Sequence, residues 1–170
     1  MIGRLPLWRK GGLNLVVVKA LAESGLSSRY LELEITESVL LENSAATLAA
    51  LHELRGLGVR FSMDDYGTGY SSLSTLRSFP FDKIKIDQSF VRELTGTDQN
   101  SLIVQSICGL AAGLGMTTVA EGVETEQQLQ LLRAAGCTAL QRYLFGRPMS
   151  GADAQGILAR RRPGMVSTVA

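Results

Sequence analysis

The sequence predicts an α/β fold built on a parallel sheet, and three observations lead there. Four short runs rich in β-branched and aliphatic residues, Leu31–Glu34, Val59–Asp65, Ile84–Asp87 and Thr117–Glu121, each end on an acidic side chain. A helix-like segment follows each run, and repeated strand-then-helix units imply parallel strands. The carboxyl ends of such strands gather on one rim, where α/β barrels do their chemistry. That rim would hold Glu34, Asp64, Asp65, Asp87 and Glu121. Carboxylates so close together repel one another unless cations or a lysine neutralise them, so the pattern points to a hard-cation site.

The elements follow in order. A helix over Asn14–Glu23 carries Leu15, Val18 and Leu21 at helical spacing, with Gly25 as its stop. Strand Tyr30–Ile35 comes next. Asn43 or Ser44 can cap a helix whose Leu48, Leu51 and Leu54 form an apolar stripe, and Gly56 and Gly58 end it before strand Val59–Met63. A short helix through Ser71–Arg77 stops near Pro80. Strand Lys83–Asp87 leads through a loop to a long helix, Gln99–Leu114, ended by Gly115, and Met116–Ala120 is the fourth strand. Thr125 caps a helix bearing Leu129 and Leu132 that stops at Gly136. A last strand, Ala139–Tyr143, precedes a turn at Gly146–Pro148 and a C-terminal helix, Ala152–Arg160.

Bulk properties narrow the function. At 170 residues and 45% hydrophobic content the chain is one domain's worth of protein with a buried core. Its net charge is +1, and the only basic run, Arg160–Arg162, is short and near the C-terminus, so no nucleic-acid partner is expected. The longest apolar stretches, such as Leu15–Val18 and Leu110–Leu114, fall far below the ~18 residues of a membrane span. The N-terminus lacks a secretory signal pattern, and Cys108 and Cys137 read as reduced packing residues in apolar helical contexts, so a cytoplasmic location is expected.

Five strings carry a family resemblance. Leu33-Glu34-Ile35-Thr36-Glu37, Asp64-Asp65-Tyr66-Gly67-Thr68-Gly69-Tyr70-Ser71-Ser72-Leu73, Lys85-Ile86-Asp87-Gln88-Ser89-Phe90, Ala120-Glu121-Gly122-Val123-Glu124-Thr125 and Tyr143-Leu144-Phe145-Gly146-Arg147-Pro148 stand in the order of the EAL-domain family. The chain from about Leu21 to Pro148 resembles these bacterial phosphodiesterases, which hydrolyse cyclic di-GMP. The resemblance implies a TIM-like (β/α)₈ barrel with Mg²⁺ or Mn²⁺ at its carboxyl rim and cyclic di-GMP as substrate. It implies that Glu34, Asp64, Asp65 and Asp87 are metal ligands, and that Lys85 and Glu121 position or activate the attacking water. Glu37 resembles the glutamate that holds the Asp-Asp loop, while Gln141 and Glu124 would meet the substrate. The chemistry suits such a set: in-line attack on a phosphodiester builds negative charge on the attacking and leaving oxygens, which hard cations held by oxygen ligands stabilise.

The chain also departs from the family pattern. Neither the Glu-Ala-Leu motif nor the Asn-bearing motif of the following strand occurs in it, and both supply metal ligands in the family. Such a barrel needs ~250 residues, so the expected fold is incomplete, with the last five of eight strands present. Residues 1–12 match nothing in the family, 13–160 form the partial domain, and 161–170 form a tail. Two open sheet edges are expected to favour a homodimer or pairing with another chain. Impaired turnover follows as an expectation, with a non-catalytic cyclic di-GMP-binding or protein-interaction module as the alternative. Arg142 stands where the family usually has Gly.

Several site residues have a plainer reading. Asp64-Asp65-Tyr66-Gly67 also suits an ordinary turn, Lys85 a solvated strand end, Asp87 the cap of a following helix, and Glu124 a helix N-terminus.

Overall fold

Alternation along the strands sets the architecture. Glu32-Leu33-Glu34-Ile35 and Lys83-Ile84-Lys85-Ile86 each place charged residues on one face and aliphatic residues on the other, because successive strand side chains point to opposite sides. The computed structural model describes residues 12–36, 39, 45–67, 76–77, 79–142, 150, 151, 153 and 156. Within them a helix α1 (Gly12–Ser24) and a 3₁₀ turn (Ser28–Tyr30) precede β1 (Glu32–Thr36), α2 (Ala45–Gly56) and β2 (Arg60–Tyr66). Then come β3 (Lys83–Ile86), α3 (Gln88–Arg92), α4 (Gln99–Gly113), β4 (Thr117–Val123), α5 (Glu126–Ala134) and β5 (Ala139–Arg142).

The strands form one sheet in the order β1-β2-β3-β4-β5, every neighbouring pair parallel. This is the arc of a TIM-like barrel that five consecutive βα units would make, with β1 and β5 as its edges. The aliphatic face, Ile35, Phe61, Met63, Ile84, Ile86 and Ala120, is buried. It shares the hydrophobic core with Leu51 and Leu54 of α2, Val104, Ile107 and Ala111 of α4, and Leu129 and Leu132 of α5. Phe79 closes the core beside α2, edge-on to Phe61 and Phe81 with ring centroids 5.0 Å away in both cases. Arg55 at the end of α2 holds Asp82 through two hydrogen bonds of 2.7 and 3.2 Å, and Asp82 also accepts the Phe61 amide at 2.8 Å. Burial raises the Asp82 pKa, but these donors more than reverse it and the carboxyl titrates below its ordinary value.

Most expected elements are present, and the differences have local causes. The first strand starts later because Ser28–Tyr30 turn into a 3₁₀ helix. β2 and β4 run on to Tyr66 and Val123, each through an irregularity in register near its carboxyl end. The loop expected after β3 opens with α3, because the Asp87 carboxylate accepts the Ser89 amide at 2.9 Å and caps the helix. The Thr125 cap is a capping box completed by Gln128. In α1 the expected stripe is displaced: Leu15 and Val18 are exposed, while Val17 is buried and Leu13 and Leu21 pack on the core. Leu13, Val17 and Leu21 also recur every four residues, and theirs is the stripe that meets the rest of the protein. Of the helix expected over Ser71–Arg77, only Leu76 and Arg77 lie among the described residues, and both are helical. The Asn43 and Ser44 caps, the Gly146–Pro148 turn and most of the C-terminal helix lie outside them. No helix among the described residues is long and apolar enough to cross a membrane.

Candidate active site

The charged face of the sheet carries two layers of ion pairs. In the lower one, Lys83 reaches both carboxylate oxygens of Glu32, at 2.6 and 2.8 Å. In the upper one, Lys85 Nζ lies 2.7 Å from Glu121 Oε1, 2.8 Å from Asp64 Oδ1 and 3.0 Å from Glu34 Oε2. Four adjacent strands each contribute one group to this cluster, and register explains why they meet. Asp64 is paired with Thr36 and Lys85 with Val119, so Asp64 and Glu121 stand near the carboxyl ends of their strands and the long lysine extends up between them.

One ammonium faces three carboxylates, so the cluster carries an excess of negative charge. Lys85 is itself only 8% exposed. Burial works to lower its pKa, but hydrogen bonds to Asp64, Glu121 and Glu34 override that and push it above the ordinary lysine value. The ammonium is therefore a fixed positive charge throughout the neutral range. Around it the side chains of Asp64 and Glu121 are 22% and 24% exposed and that of Glu34 52%, so the cluster opens to solvent on the β1 side.

The remaining expected residues are distributed less tightly. Asp65 is exposed and adopts a left-handed φ of 54°, which aspartate tolerates better than most residues and which lets β2 bulge. Asp87 serves as the cap of α3, where burial raises its pKa but the Ser89 hydrogen bonds bring it below the ordinary carboxylate value. Glu124 is exposed just ahead of the α5 cap, its backbone N–H donating to Gln128 Oε1 at 2.9 Å. Gln141 is exposed on β5, and Glu37 lies outside the described residues. Among the described residues no group of three or more Asp, Glu, His or Cys side chains is placed to hold a metal ion. The donor chemistry still suits a hard cation, since every group around Lys85 offers carboxylate oxygen.

The Glu32–Lys83 pair was not anticipated, although the period-two pattern that places Lys85 also places Lys83. Cys108 and Cys137, expected as reduced packing residues in helical contexts, both lie against Thr118 at the start of β4, and Cys137 stands in the turn after α5 and not in a helix.

Comparison with known proteins gives a consistent result. The family model for the EAL domain matches residues 13–148. The cyclic di-GMP phosphodiesterase NbdA of Pseudomonas aeruginosa is 47% identical over 130 residues, which are 76% of this chain and 17% of NbdA. The chain spans about a fifth or less of the length of the first curated relatives it matches. Among solved structures, the PaMucR phosphodiesterase in complex with c-di-GMP superposes with a TM-score of 0.81 at 41% identity, covering 86% of this chain and 65% of that one. The manganese and cyclic di-GMP complex of Klebsiella pneumoniae BlrP1 superposes at 0.76 with 34% identity, covering 84% of this chain and 36% of that one.

Proposed function

The chain belongs to the EAL domain family, and on that footing we propose that it is a cyclic di-GMP phosphodiesterase domain, converting the cyclic dinucleotide to linear pGpG with Mg²⁺ or Mn²⁺. The observation that carries this reading is the convergence of Glu34, Asp64 and Glu121 on Lys85 at one end of four parallel strands. Glu34, Asp64, Asp65 and Asp87 would hold the metal, which would supply Lewis-acid neutralisation of the phosphate charge. Lys85 is a fixed positive charge that, with Glu121, positions the attacking water and offsets the repulsion among the carboxylates. Glu121, 2.7 Å from that ammonium, accepts the proton of the attacking water. Gln141 and Glu124 contact the nucleotide from β5 and the β4 end, and Glu37 orders the loop that bears Asp64 and Asp65. The domain comprises residues 13–160 and works in the cytoplasm.

Among the described residues no group of three Asp, Glu, His or Cys side chains is placed to hold a metal ion, which favours a second reading, a non-catalytic cyclic di-GMP-binding or protein-interaction module. Calorimetric titration with Mn²⁺ and a chromatographic assay for linear product separate the two. The expected result is weak metal binding that Asp64→Asn abolishes, with turnover well below that of a relative with a complete metal site. Indistinguishable titrations of wild type and Asp64→Asn would remove the proposed site, and nucleotide binding without turnover would favour the module.

We further propose that the chain pairs with a second copy. Among the described residues β1 and β5 are the two edges of the sheet, and α1 exposes Leu15, Val16 and Val18. Light scattering at micromolar concentration is expected to give twice the chain mass or more. A monodisperse monomer that unfolds cooperatively would refute the pairing.

A further inference from the structure

Two thiols far from the carboxylate cluster meet at the opposite end of the sheet. Cys108 comes from α4, and Cys137 from the turn between α5 and β5. Their common neighbour is Thr118 of β4: Cys108 Sγ lies 4.0 Å from Thr118 Oγ1, and Cys137 Sγ 3.9 Å from Thr118 O and 3.2 Å from Ala139 O. Thr118 is fixed in turn, because Thr138 donates its amide to Thr118 Oγ1 at 3.0 Å and its hydroxyl to Thr118 O at 2.8 Å. Both sulfurs therefore lie within 4.0 Å of one residue, which its bonds to Thr138 hold in place.

We propose that Cys108 and Cys137 are a redox-active thiol pair, which a low-molecular-weight disulfide oxidises to an intramolecular disulfide tying α4 to the turn that leads into β5. The two sites differ in the way such an exchange requires. Cys137 is half-buried and reachable, whereas Cys108 is buried. The neighbouring Cys108 thiol lowers the Cys137 pKa against the opposing effect of burial, while Cys108, next to Cys137 and desolvated, is pushed up. Cys137 is thus the attacking thiolate and Cys108 the resolving thiol. The Cys137 thiolate attacks one sulfur of the small disulfide, whose S–S bond breaks and releases one thiolate. Cys108 then gives its proton to solvent and attacks the Cys137 sulfur of the mixed disulfide, expelling the second thiolate. The protein loses two electrons and two protons, and the small disulfide gains the two electrons and leaves as two thiols.

The inference does not depend on the phosphodiesterase reading, and its test needs no turnover. The folded chain is incubated with oxidised glutathione, quenched with N-ethylmaleimide and mapped by mass spectrometry without reduction. The expected product is a Cys108 peptide joined to a Cys137 peptide, lighter by two hydrogens than the reduced pair and separated again by dithiothreitol. Cys108→Ser is expected to stop at a stable glutathione adduct on Cys137, and Cys137→Ser to take up no glutathione at Cys108. Cys108 is in the core, so circular dichroism accompanies both variants, and the wild-type map decides alone if either fails to fold. A wild-type map showing the persistent Cys137 adduct beside free Cys108, links only between chains, or no oxidation of either thiol would overturn the proposal.

Discussion

Replacing Lys85 by alanine is expected to strengthen Mn²⁺ binding about tenfold while lowering cyclic di-GMP hydrolysis by about 10²–10³-fold from its starting rate. The opposite signs follow from one geometry. The ammonium sits among Glu34, Asp64 and Glu121 at 2.7 to 3.0 Å, so it competes with any cation those carboxylates would bind. A unit charge roughly 5 Å from a divalent ion repels it by about 1–2 kcal/mol in a water-like dielectric, which is near a factor of ten in affinity. In the proposed reaction the same charge would help position the attacking water, and loss of one such preorganised group typically costs ~10²–10³ in rate. Lys85→Arg retains the charge and is expected to leave metal affinity near wild type. Calorimetry and a product assay on the three proteins decide the matter. Weaker metal binding by Lys85→Ala would mean that the lysine organises the carboxylates more than it competes for them.

That cluster was largely legible in the sequence, because strand-end acids and a strand lysine two residues before Asp87 follow from periodicity alone. Its inner geometry was not. Periodicity places Glu34, Asp64, Lys85 and Glu121 on one face, but only register and the bulges of β2 and β4 decide that Asp64 meets the lysine while Asp65 does not join its ion pairs. Asp87 shows the same limit. A strand-end aspartate followed by Gln88 and Ser89 suits both a metal ligand and a helix cap, and the structure puts its carboxylate on the Ser89 amide. The α1 stripe was misread for a related reason, since two apolar stripes overlap on one helix and only the tertiary packing selects Val17 over Leu15 and Val18. The thiol pair was out of reach of sequence, because Cys108 and Cys137 are brought together by the β4–β5 pairing and by no local spacing.

Gly122→Ala is expected to destabilise the protein by about 2–5 kcal/mol and to lower any hydrolysis by about 10²-fold. Gly122 follows Glu121 directly, at a φ of +68°, where an L-residue costs roughly 1–2 kcal/mol. An added Cβ there would stand 2.8 Å from the Cβ of Gln88 on α3. That atom is fixed to the helix backbone, so relief requires α3 to move, and overpacking of this kind costs about 1–3 kcal/mol. The displacement would act on the neighbouring Glu121, whose carboxylate is held 2.7 Å from Lys85, and a misplacement of about 1 Å at a reacting group can cost ~10² in rate. Gly25 provides the control: its φ is +65°, and a Cβ there would meet nothing within 4 Å. Gly25→Ala should therefore show only the backbone cost, about 1 kcal/mol, with turnover unchanged. Urea denaturation of the two variants measures the difference directly, and equal losses would show that α3 yields to the methyl group without strain and does not hold Glu121 in place.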